Sequence, residues 1–155
     1  IKELSAKPYF EELQFRIIGN GALFDEITKP LKKFHNVVIE KKFLRQEEIA
    51  KLHKEYGIFL VPTRADTQGV SRDEAMASGL VPVTNAVAAI PEFTDENCAV
   101  LAPAEDYQAM ASGIDSLVQN EQTFLQMSEN AAKRVRSQSD RENTIERELA
   151  LICEG

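Results

Sequence analysis

The stretch that decides the fold is IFLVPTRADTQGVSRDEAMASGLVPVT, residues 58–84. It opens on four apolar residues, Ile58–Val61, which stop at a proline and are typical of a strand buried on both faces. A second strand-like run, 81–84, follows Gly79. Residues 71–78, between the two runs, predict a short helix, because a glycine just past the end commonly stops a helix. The stretch therefore predicts a strand–helix–strand unit with parallel strands.

Outward from this unit, apolar runs of strand length alternate with segments of helical spacing. Leu23, Ile27 and Leu31 stand four residues apart and predict one apolar stripe on a helix. The predicted strands are 14–19, 36–40, 58–61, 81–84 and 99–102, and the predicted helices are 1–6, 22–34, 45–56, 71–78, 105–119, 121–136 and 141–152. This order predicts an α/β fold, a Rossmann-like parallel sheet flanked by helices, with a helical C-terminal tail.

Size and composition fit one globular domain, 1–155, and exclude several classes of protein. The chain is 43% hydrophobic and 28% charged, which provides a core and excludes a disordered chain. Its net charge of −7 argues against a nucleic-acid partner, because phosphate contacts need clustered Lys and Arg. The longest stretch without a charge, 75–91, is interrupted by Gly79 and Pro82, so no transmembrane segment is expected. We therefore expect a soluble protein.

Histidines and cysteines are too few and too scattered for several kinds of active site. His35 and His53 have no second metal ligand three or four residues away, and Cys98 and Cys153 each stand alone. A zinc site, a Cys–His nucleophile pair or a His-based triad is therefore not expected. The histidines fit surface or helix-end positions. The cysteines fit small buried residues in a reducing compartment, and one disulfide between them is the alternative.

Ligands of parallel sheets bind at the carboxyl ends of the strands, so the candidate loops follow Ile18, Val61 and Thr84. The first loop is Gly19-Asn20-Gly21. Its glycines allow a ligand to approach the backbone, and a following helix would offer amides to an anion. A plain tight turn explains the same residues equally well.

The first loop also resembles the start of a dinucleotide fingerprint. The spacing is Gly19-x-Gly21-x-x-Phe24, and Glu40 lies at the end of the next strand, where a ribose-binding acid would stand. However, Phe24 replaces the third glycine, which allows helix and strand to pack closely. Lysines also follow Glu40 directly. The pattern therefore disfavours a nicotinamide or flavin site.

The second loop carries more information, and its glutamate has two interpretations. Ser71-x-x-Glu74 fits a capping box, in which each side chain bonds the other residue's amide. That interpretation leaves Gly69 and the Asp66-x7-Glu74 pair unexplained. A helix N-terminus after Gly69 offers amides and a positive dipole end to a phosphate. A carboxylate one turn later can accept two hydrogen bonds from the vicinal hydroxyls of a ribose.

At this point the sequence resembles the signature of retaining glycosyltransferases of family 4, which have the GT-B fold. Their pattern is Glu-x7-Glu with Phe-Gly-Leu inside it, then Glu-Ala-Met-Ala-x-Gly-x-Pro-Val-Val, and here residues 69–84 are GVSRDEAMASGLVPVT. The likeness continues through AAIPE at 88–92, similar to the family's Gly-Gly-Ile-Pro-Glu, and through VLAPAED at 100–106. Upstream, FRIIGNG at 15–21 is similar to the family's strand and Gly-x-Gly turn. The resemblance covers nearly the whole chain.

The resemblance implies the donor-binding, C-terminal half of a GT-B enzyme. Such an enzyme transfers a hexosyl group from a nucleotide-sugar to a glycan or lipid-linked acceptor with retention, as in polysaccharide biosynthesis, and needs no cofactor and usually no metal. The implied catalytic residues are Asp66, touching the sugar hydroxyls, and Glu74, binding the ribose. The implied donor-binding residues are Gly19, Asn20, Gly21, Phe43, Leu44, Gly69, Val70, Ser71 and Glu74. Of these, Phe43 and Leu44 would lie where the family holds the base.

The chain departs from the family pattern at several positions. Asp66 is one methylene shorter than the family's glutamate, and Gln68 replaces an aromatic residue. Ala88 and Ala89 replace a glycine pair, which would narrow a backbone approach there. The family's first strand, with the Arg and Lys that neutralise the diphosphate, is expected to precede Ile1, as is the acceptor-binding domain.

These departures set the expectations for activity. We expect the isolated chain to bind a nucleotide-sugar weakly and to transfer nothing. The expected location is the cytoplasm, either free or peripheral to the inner face of the membrane. Two other interpretations stay open: a non-catalytic nucleotide-sugar-binding module, and a plain α/β interaction domain in which Glu74 only caps a helix.

Overall fold

The computed structural model describes residues 1–139 and 141–153. These residues form two parallel sheets with helices around them. One sheet pairs β1 with β2, and the other has the order β3-β4-β5. The strands are β1 (Phe15–Gly19), β2 (Val37–Lys41), β3 (Ile58–Val61), β4 (Val81–Asn85) and β5 (Val100–Ala102). The helices are α1 (Phe24–Thr28), α2 (Gln46–His53), α3 (Val70–Ala77), α4 (Ile90–Phe93), α5 (Tyr107–Gln119), α6 (Glu121–Ser139) and α7 (Arg141–Cys153). The predicted α/β fold, with parallel strands, flanking helices and a helical tail, is confirmed.

The chain forms two compact units, Ile1–Ile49 and Ala50–Gly155. In the first unit, the rings of Phe10 and Phe34 lie edge to face with centroids 5.2 Å apart. Beside them, the buried Asn36 donates through Nδ2 to the carbonyl oxygens of Phe10 (2.8 Å) and Leu13 (3.0 Å). These bonds fasten the segment before β1 to the start of β2.

Two predicted helices of the first unit are shorter than expected. Over 22–34, α1 gives way to a 3-10 turn at Lys29–Leu31 that contains Pro30. Pro30 has no N–H to donate and its ring clashes with the preceding turn, so the α-helix ends before it. The helix predicted over 1–6 is a single 3-10 turn, Leu4–Ala6.

The predicted apolar stripe of α1 is wrong. Leu23 and Ile27 are 63% and 64% exposed, whereas the neighbouring Phe24 and Thr28 are buried. The buried face is therefore turned by one residue, about 100° around the helix. Thr28 can lie inside because its hydroxyl donates to the Phe24 carbonyl at 2.7 Å, which satisfies its polar group.

In the second unit, the strand buried on both faces is β4 and not β3. All five residues of β4 are buried, because β3 and β5 lie on either side and α3, α5 and α6 pack against it. β3 is an edge strand of its sheet, and Leu60 is 38% exposed. The expectation that Ile58–Val61 is buried on both faces is therefore wrong.

The end of α3 agrees with the sequence. Gly79 adopts a left-handed φ of 85°. The Gly79 amide donates to the Met76 carbonyl (2.9 Å) and the Leu80 amide to the Ala75 carbonyl (3.0 Å), which together form a Schellman motif. The hydroxyl of Ser128 on α6 donates to the Gly79 carbonyl at 2.6 Å, so this helix end is fastened to α6.

The two cysteines differ in environment, and both are free thiols. Cys98 is buried in the core beside Met76 and Ala131, and burial is the main cause that raises its pKa. Cys153 is exposed at the end of α7, so the expectation of a buried position is wrong for this residue. No helix among the described residues combines the length and apolar composition needed to span a bilayer.

Candidate functional site

The carboxyl ends of the second unit's strands border an open cleft of about 480 Å³. Its walls come from the loops after β3, β4 and β5, because parallel strands end at one edge of a sheet. The lining residues are Pro62, Thr63, Arg64, Asn85 and Glu105. At its rim the exposed side chains of Arg64 and Glu105 form an ion pair, Nε to Oε1, of 2.7 Å.

Asn85 joins the three loops beneath this cleft. Its Oδ1 accepts from the Thr63 amide (3.1 Å) and its Nδ2 donates to the Pro103 carbonyl (2.7 Å). A buried amide side chain needs such partners on both its atoms. Sequence reasoning ended the strand at Thr84 and missed this residue, although a polar residue at the end of a buried strand is a readable signal.

Asp66, one of the predicted catalytic residues, begins a tight turn that leads into α3. Its Oδ1 accepts from the Gln68 amide at 3.2 Å, which is an Asx-turn contact. Its carbonyl accepts from the Ala89 amide at 3.3 Å. The turn after β3 and the loop after β4 are therefore in direct contact at Asp66.

The first residue of α3 differs from the expected one. Gly69 is the N-cap, in a left-handed conformation with φ 82° and ψ 49°, and its carbonyl accepts from the Asp73 amide at 3.0 Å. Ser71 is therefore the second helical residue and not the N-cap that a capping box requires. The helix starts early because the glycine adopts a conformation that costs other residues about 1–2 kcal/mol. The amides of Val70 and Ser71 consequently have no acceptor within the helix.

Arg72 is a buried cation in this turn, and sequence reasoning missed it. It is 1% exposed, and its Nη2 donates to Asp73 Oδ1 at 2.8 Å and to the Gln68 carbonyl. Its Nη1 is buried without a hydrogen-bond partner. Burial is the main cause that raises the pKa of Asp73; the bond to Arg72 opposes this and the charge of Asp66 adds to it.

Glu74, the predicted ribose ligand, lies one turn into α3 against His53. The pKa of His53 is lowered mainly by burial, while the charge of Glu74 and a hydrogen bond to its backbone act in the opposite direction. The His53 ring also packs edge to face on Phe59 of β3, with centroids 5.9 Å apart. His53 is therefore a helix-end residue, as expected, but not a surface one.

His53 gives a prediction on pH. Because its pKa is lower in the folded protein than in the unfolded chain, the unfolded state binds more protons between the two values, and stability rises with pH there. We expect the free energy of unfolding to fall as the pH is lowered through about 6.5, and His53→Gln to flatten that dependence. Denaturant titrations followed by circular dichroism at several pH values test this. His35→Gln, at an exposed position, is the control, and an unchanged slope in His53→Gln would contradict the assignment.

The loop after β4 contains one residue with a strained backbone, Ala88. Ala88 has a φ of 49°, although it is not glycine. It stands where the resembled family has a glycine, and the left-handed conformation costs an alanine about 1–2 kcal/mol.

The remaining predicted donor-binding residues lie in the first unit. β1 and β2 pair in parallel, with Gly19 opposite Lys41, so the segment Gly19-Asn20-Gly21 and the segment Phe43-Leu44 follow the same edge of that sheet. Gly21 has open space where a Cβ would stand, and Phe43 is 80% exposed. The short helix that follows, α1, provides a weaker dipole than the long one expected.

Glu40, which would bind the ribose if this were a dinucleotide site, forms ion pairs with two basic side chains instead. Its Oε2 bonds Arg16 Nε at 2.7 Å and its Oε1 bonds Lys42 Nζ at 2.8 Å. The hydrogen bond from Arg16, then that from Lys42, lowers the pKa of this carboxyl. The ring of Phe24 also fills the space beside Gly19, at 3.3 Å from the Cβ position. Both contacts disfavour a dinucleotide site.

Within 1–139 and 141–153, no three or more His, Cys, Asp or Glu side chains cluster closely enough to hold a metal ion.

Comparison with solved structures places this fold among glycosyltransferases. TarM of S. aureus, in complex with fondaparinux, α-GlcNAc-glycerol and UDP, superposes with a TM-score of 0.78 at 20% identity, over 96% of this chain and 30% of TarM. HepE of Anabaena, in complex with UDP, gives 0.77 at 18%, over 99% and 43%. The C-terminal domain of the group 1 protein LpcC of Francisella tularensis gives 0.72 at 20%, over 87% and 72%. This chain thus spans less than half the length of TarM or HepE.

Comparison with curated proteins finds no relative. The sequence model of the family described as "Glycosyl transferases group 1", however, matches residues 1–134, which is most of the chain. The parallel α/β fold agrees with that match. The chain belongs to the group 1 glycosyl transferases.

Proposed function

We propose that this chain is the donor-binding domain of a retaining hexosyltransferase of the GT-B class, and that Glu74 binds the ribose of its nucleotide-sugar. The observation that carries the proposal is the start of α3. The left-handed Gly69 opens the helix so that the amides of Val70 and Ser71 point away from its first turn, and Glu74 lies one turn further on.

The chemistry of a nucleotide-sugar fits this arrangement. A helix N-terminus offers amides and a positive dipole end to a diphosphate. When the glycosidic bond to the diphosphate breaks, negative charge grows on the leaving group, and donors fixed before the reaction stabilise that charge. The carboxylate of Glu74 is an acceptor for two ribose hydroxyls, and the backbone of Glu74 is hydrogen-bonded to His53.

Asp66 is proposed to contact the donor sugar. Its Oδ1 already accepts a hydrogen bond from the Gln68 amide. The carboxylate is therefore proposed to contact the sugar while it stays bonded within the turn. The further cations for the diphosphate, and the site for a glycan or lipid-linked acceptor, are proposed to come from protein outside residues 1–155. We therefore expect this chain alone to bind the donor weakly and to transfer no sugar.

The test is a calorimetric titration of the intact protein with UDP-, GDP- and ADP-sugars. UDP-sugars come first, because TarM and HepE were solved with UDP. We expect one nucleotide series to bind, and Glu74→Gln to weaken it at least tenfold, since the amide accepts fewer hydrogen bonds than the carboxylate. Glu129→Gln, an exposed glutamate on α6, is the matched control and should bind as the wild type does.

Three outcomes would count against the proposal. If the intact wild-type protein binds none of the nucleotide-sugars, the donor-binding function is wrong. If Glu74→Gln binds as tightly as Glu129→Gln, the ribose assignment is wrong and Glu74 is a structural residue. Binding without transfer by the intact protein, assayed with radiolabelled donor and polysaccharide or lipid-linked acceptors, would instead indicate a non-catalytic module.

A further inference from the structure

The guanidinium of Arg72 is buried, but it has fewer hydrogen-bond and charge partners than a buried cation normally needs. The side chain is 1% exposed, and its ion-pair partner among the described residues is Asp73, its neighbour in sequence. A buried charge requires partners for all of its hydrogen-bond donors, or its burial is costly. Here Nη1 has none. If the only role of this side chain were to fill space, an apolar side chain of similar volume would give a more stable fold.

The guanidinium lies against the turn that precedes α3. Its Nη2 bonds the Gln68 carbonyl, and a Cβ added to Gly69 would lie 2.7 Å from Nη1 and 2.8 Å from Cζ. On the other side, Cζ lies 5.5 Å from the centroid of the Phe93 ring in α4. Arg72 therefore joins the turn after β3 to the first turn of α3 and to the helix that follows β4.

We infer that Arg72 is a positioning residue for the donor. It holds the turn 66–69 in the shape that opens the amides of Val70 and Ser71, and its unpaired Nη1, on the side of the guanidinium that does not bond Asp73, places positive partial charge next to Gly69 of that turn. Solvent screens this charge little because it is buried. The inference rests on the proposed function for the nature of the ligand, an anionic diphosphate, but not for the contacts that hold the turn.

Two properties of Arg72 are separable by substitution. Arg72→Lys keeps the charge but loses the planar fork that bonds Gln68 and Asp73 together. Arg72→Met loses both, and Arg72→Met/Asp73→Asn also removes the carboxylate that would be left unpaired, so that a variant able to fold is available. Arg134→Met is the matched control, because Arg134 forms an Arg–Asp pair of 2.6 Å with Asp95 in the same unit.

The experiment measures two quantities in the intact protein: hydrogen–deuterium exchange of the amides of 66–70, and the dissociation constants for UDP, GDP and ADP. We expect Arg72→Met, alone or with Asp73→Asn, to speed exchange of these amides at least tenfold and to weaken the nucleotide that binds at least tenfold. Arg72→Lys should speed exchange to a similar degree and weaken binding less. Arg134→Met should change neither quantity at these amides.

The two failures are distinguishable. Unchanged exchange in Arg72→Met overturns the inference whatever the nucleotide does. Faster exchange with an unchanged dissociation constant also overturns it, because Arg72 would then stabilise the turn without positioning the donor. If the wild type binds no nucleotide, the proposed function fails, and the exchange data alone then decide whether Arg72 holds the turn.

Discussion

Gly69→Ala is expected to destabilise the second unit by about 2–5 kcal/mol and to abolish nucleotide binding. Two costs add. A left-handed φ of 82° costs a residue with a Cβ about 1–2 kcal/mol, and the new Cβ would lie 2.7 Å from Nη1 of the buried Arg72. Overpacking of this kind costs about 1–3 kcal/mol. Because the guanidinium is buried and bonded to the Gln68 carbonyl, a shift of either the turn or Arg72 disturbs the amides that are proposed to bind the donor.

Gly79→Ala is the matched control for this prediction. Gly79 has nearly the same φ, 85°, but a Cβ there would meet Ser128 Oγ at 3.4 Å, an ordinary contact. We expect it to lose only the backbone cost, about 1–2 kcal/mol, and to keep nucleotide binding. Unfolding can be followed in denaturant by the reaction of Cys98 with a thiol reagent in a Cys153→Ser background, because Cys98 is buried in this unit whereas Cys153 is exposed and would react in the folded protein. Equal losses in the two variants would contradict the role given to Arg72.

Gly113→Ala is expected to destabilise the same unit by about 2 kcal/mol, although it places a better helix former in α5. The gain in helix propensity is about 1 kcal/mol. Against this, the Cβ would lie 2.3 Å from Cγ1 of Val100, a distance that forces α5 away from β5 at a cost of about 3 kcal/mol. The same Cys98 assay measures the change.

Two further variants show whether the collision is the cause. Ser112→Ala, at the neighbouring exposed position of α5, should be neutral or slightly stabilising. Val100→Ala removes the γ carbons that the new Cβ would meet, so Gly113→Ala should cost less on that background than on the wild type. Additive losses in the double variant would rule out a direct contact between the two positions.

Local signals in the sequence were sufficient for part of this fold. Apolar runs and helical spacing predicted the parallel strands and the helical tail, and Gly79 predicted the end of α3, because each depends on neighbouring residues. The start of α3 was misassigned for the same reason: Ser71-x-x-Glu74 is a strong local pattern, and the left-handed backbone of Gly69 is not visible in the spacing.

The rest depends on contacts between distant residues. Which strand is central cannot be read from composition, since Ile58–Val61 is wholly apolar yet lies at the edge, while β4 contains a proline and is fully buried. The division into two sheets is invisible for the same reason. From the sequence, Arg72 would be predicted to lie on the surface of a helix. The Phe93 ring that packs on it is distant in sequence, so no local pattern indicates that contact.

The two left-handed glycines have a consequence for how this segment can change. Gly69 and Gly79 stand at the two ends of α3, and each end is fixed to other parts of the unit, by Arg72 at the start and by Ser128 at the close. One residue inserted or deleted between them would rotate everything beyond it by about 100° around the helix axis. The number of residues from Gly69 to Gly79 is therefore fixed by contacts at both ends of the helix.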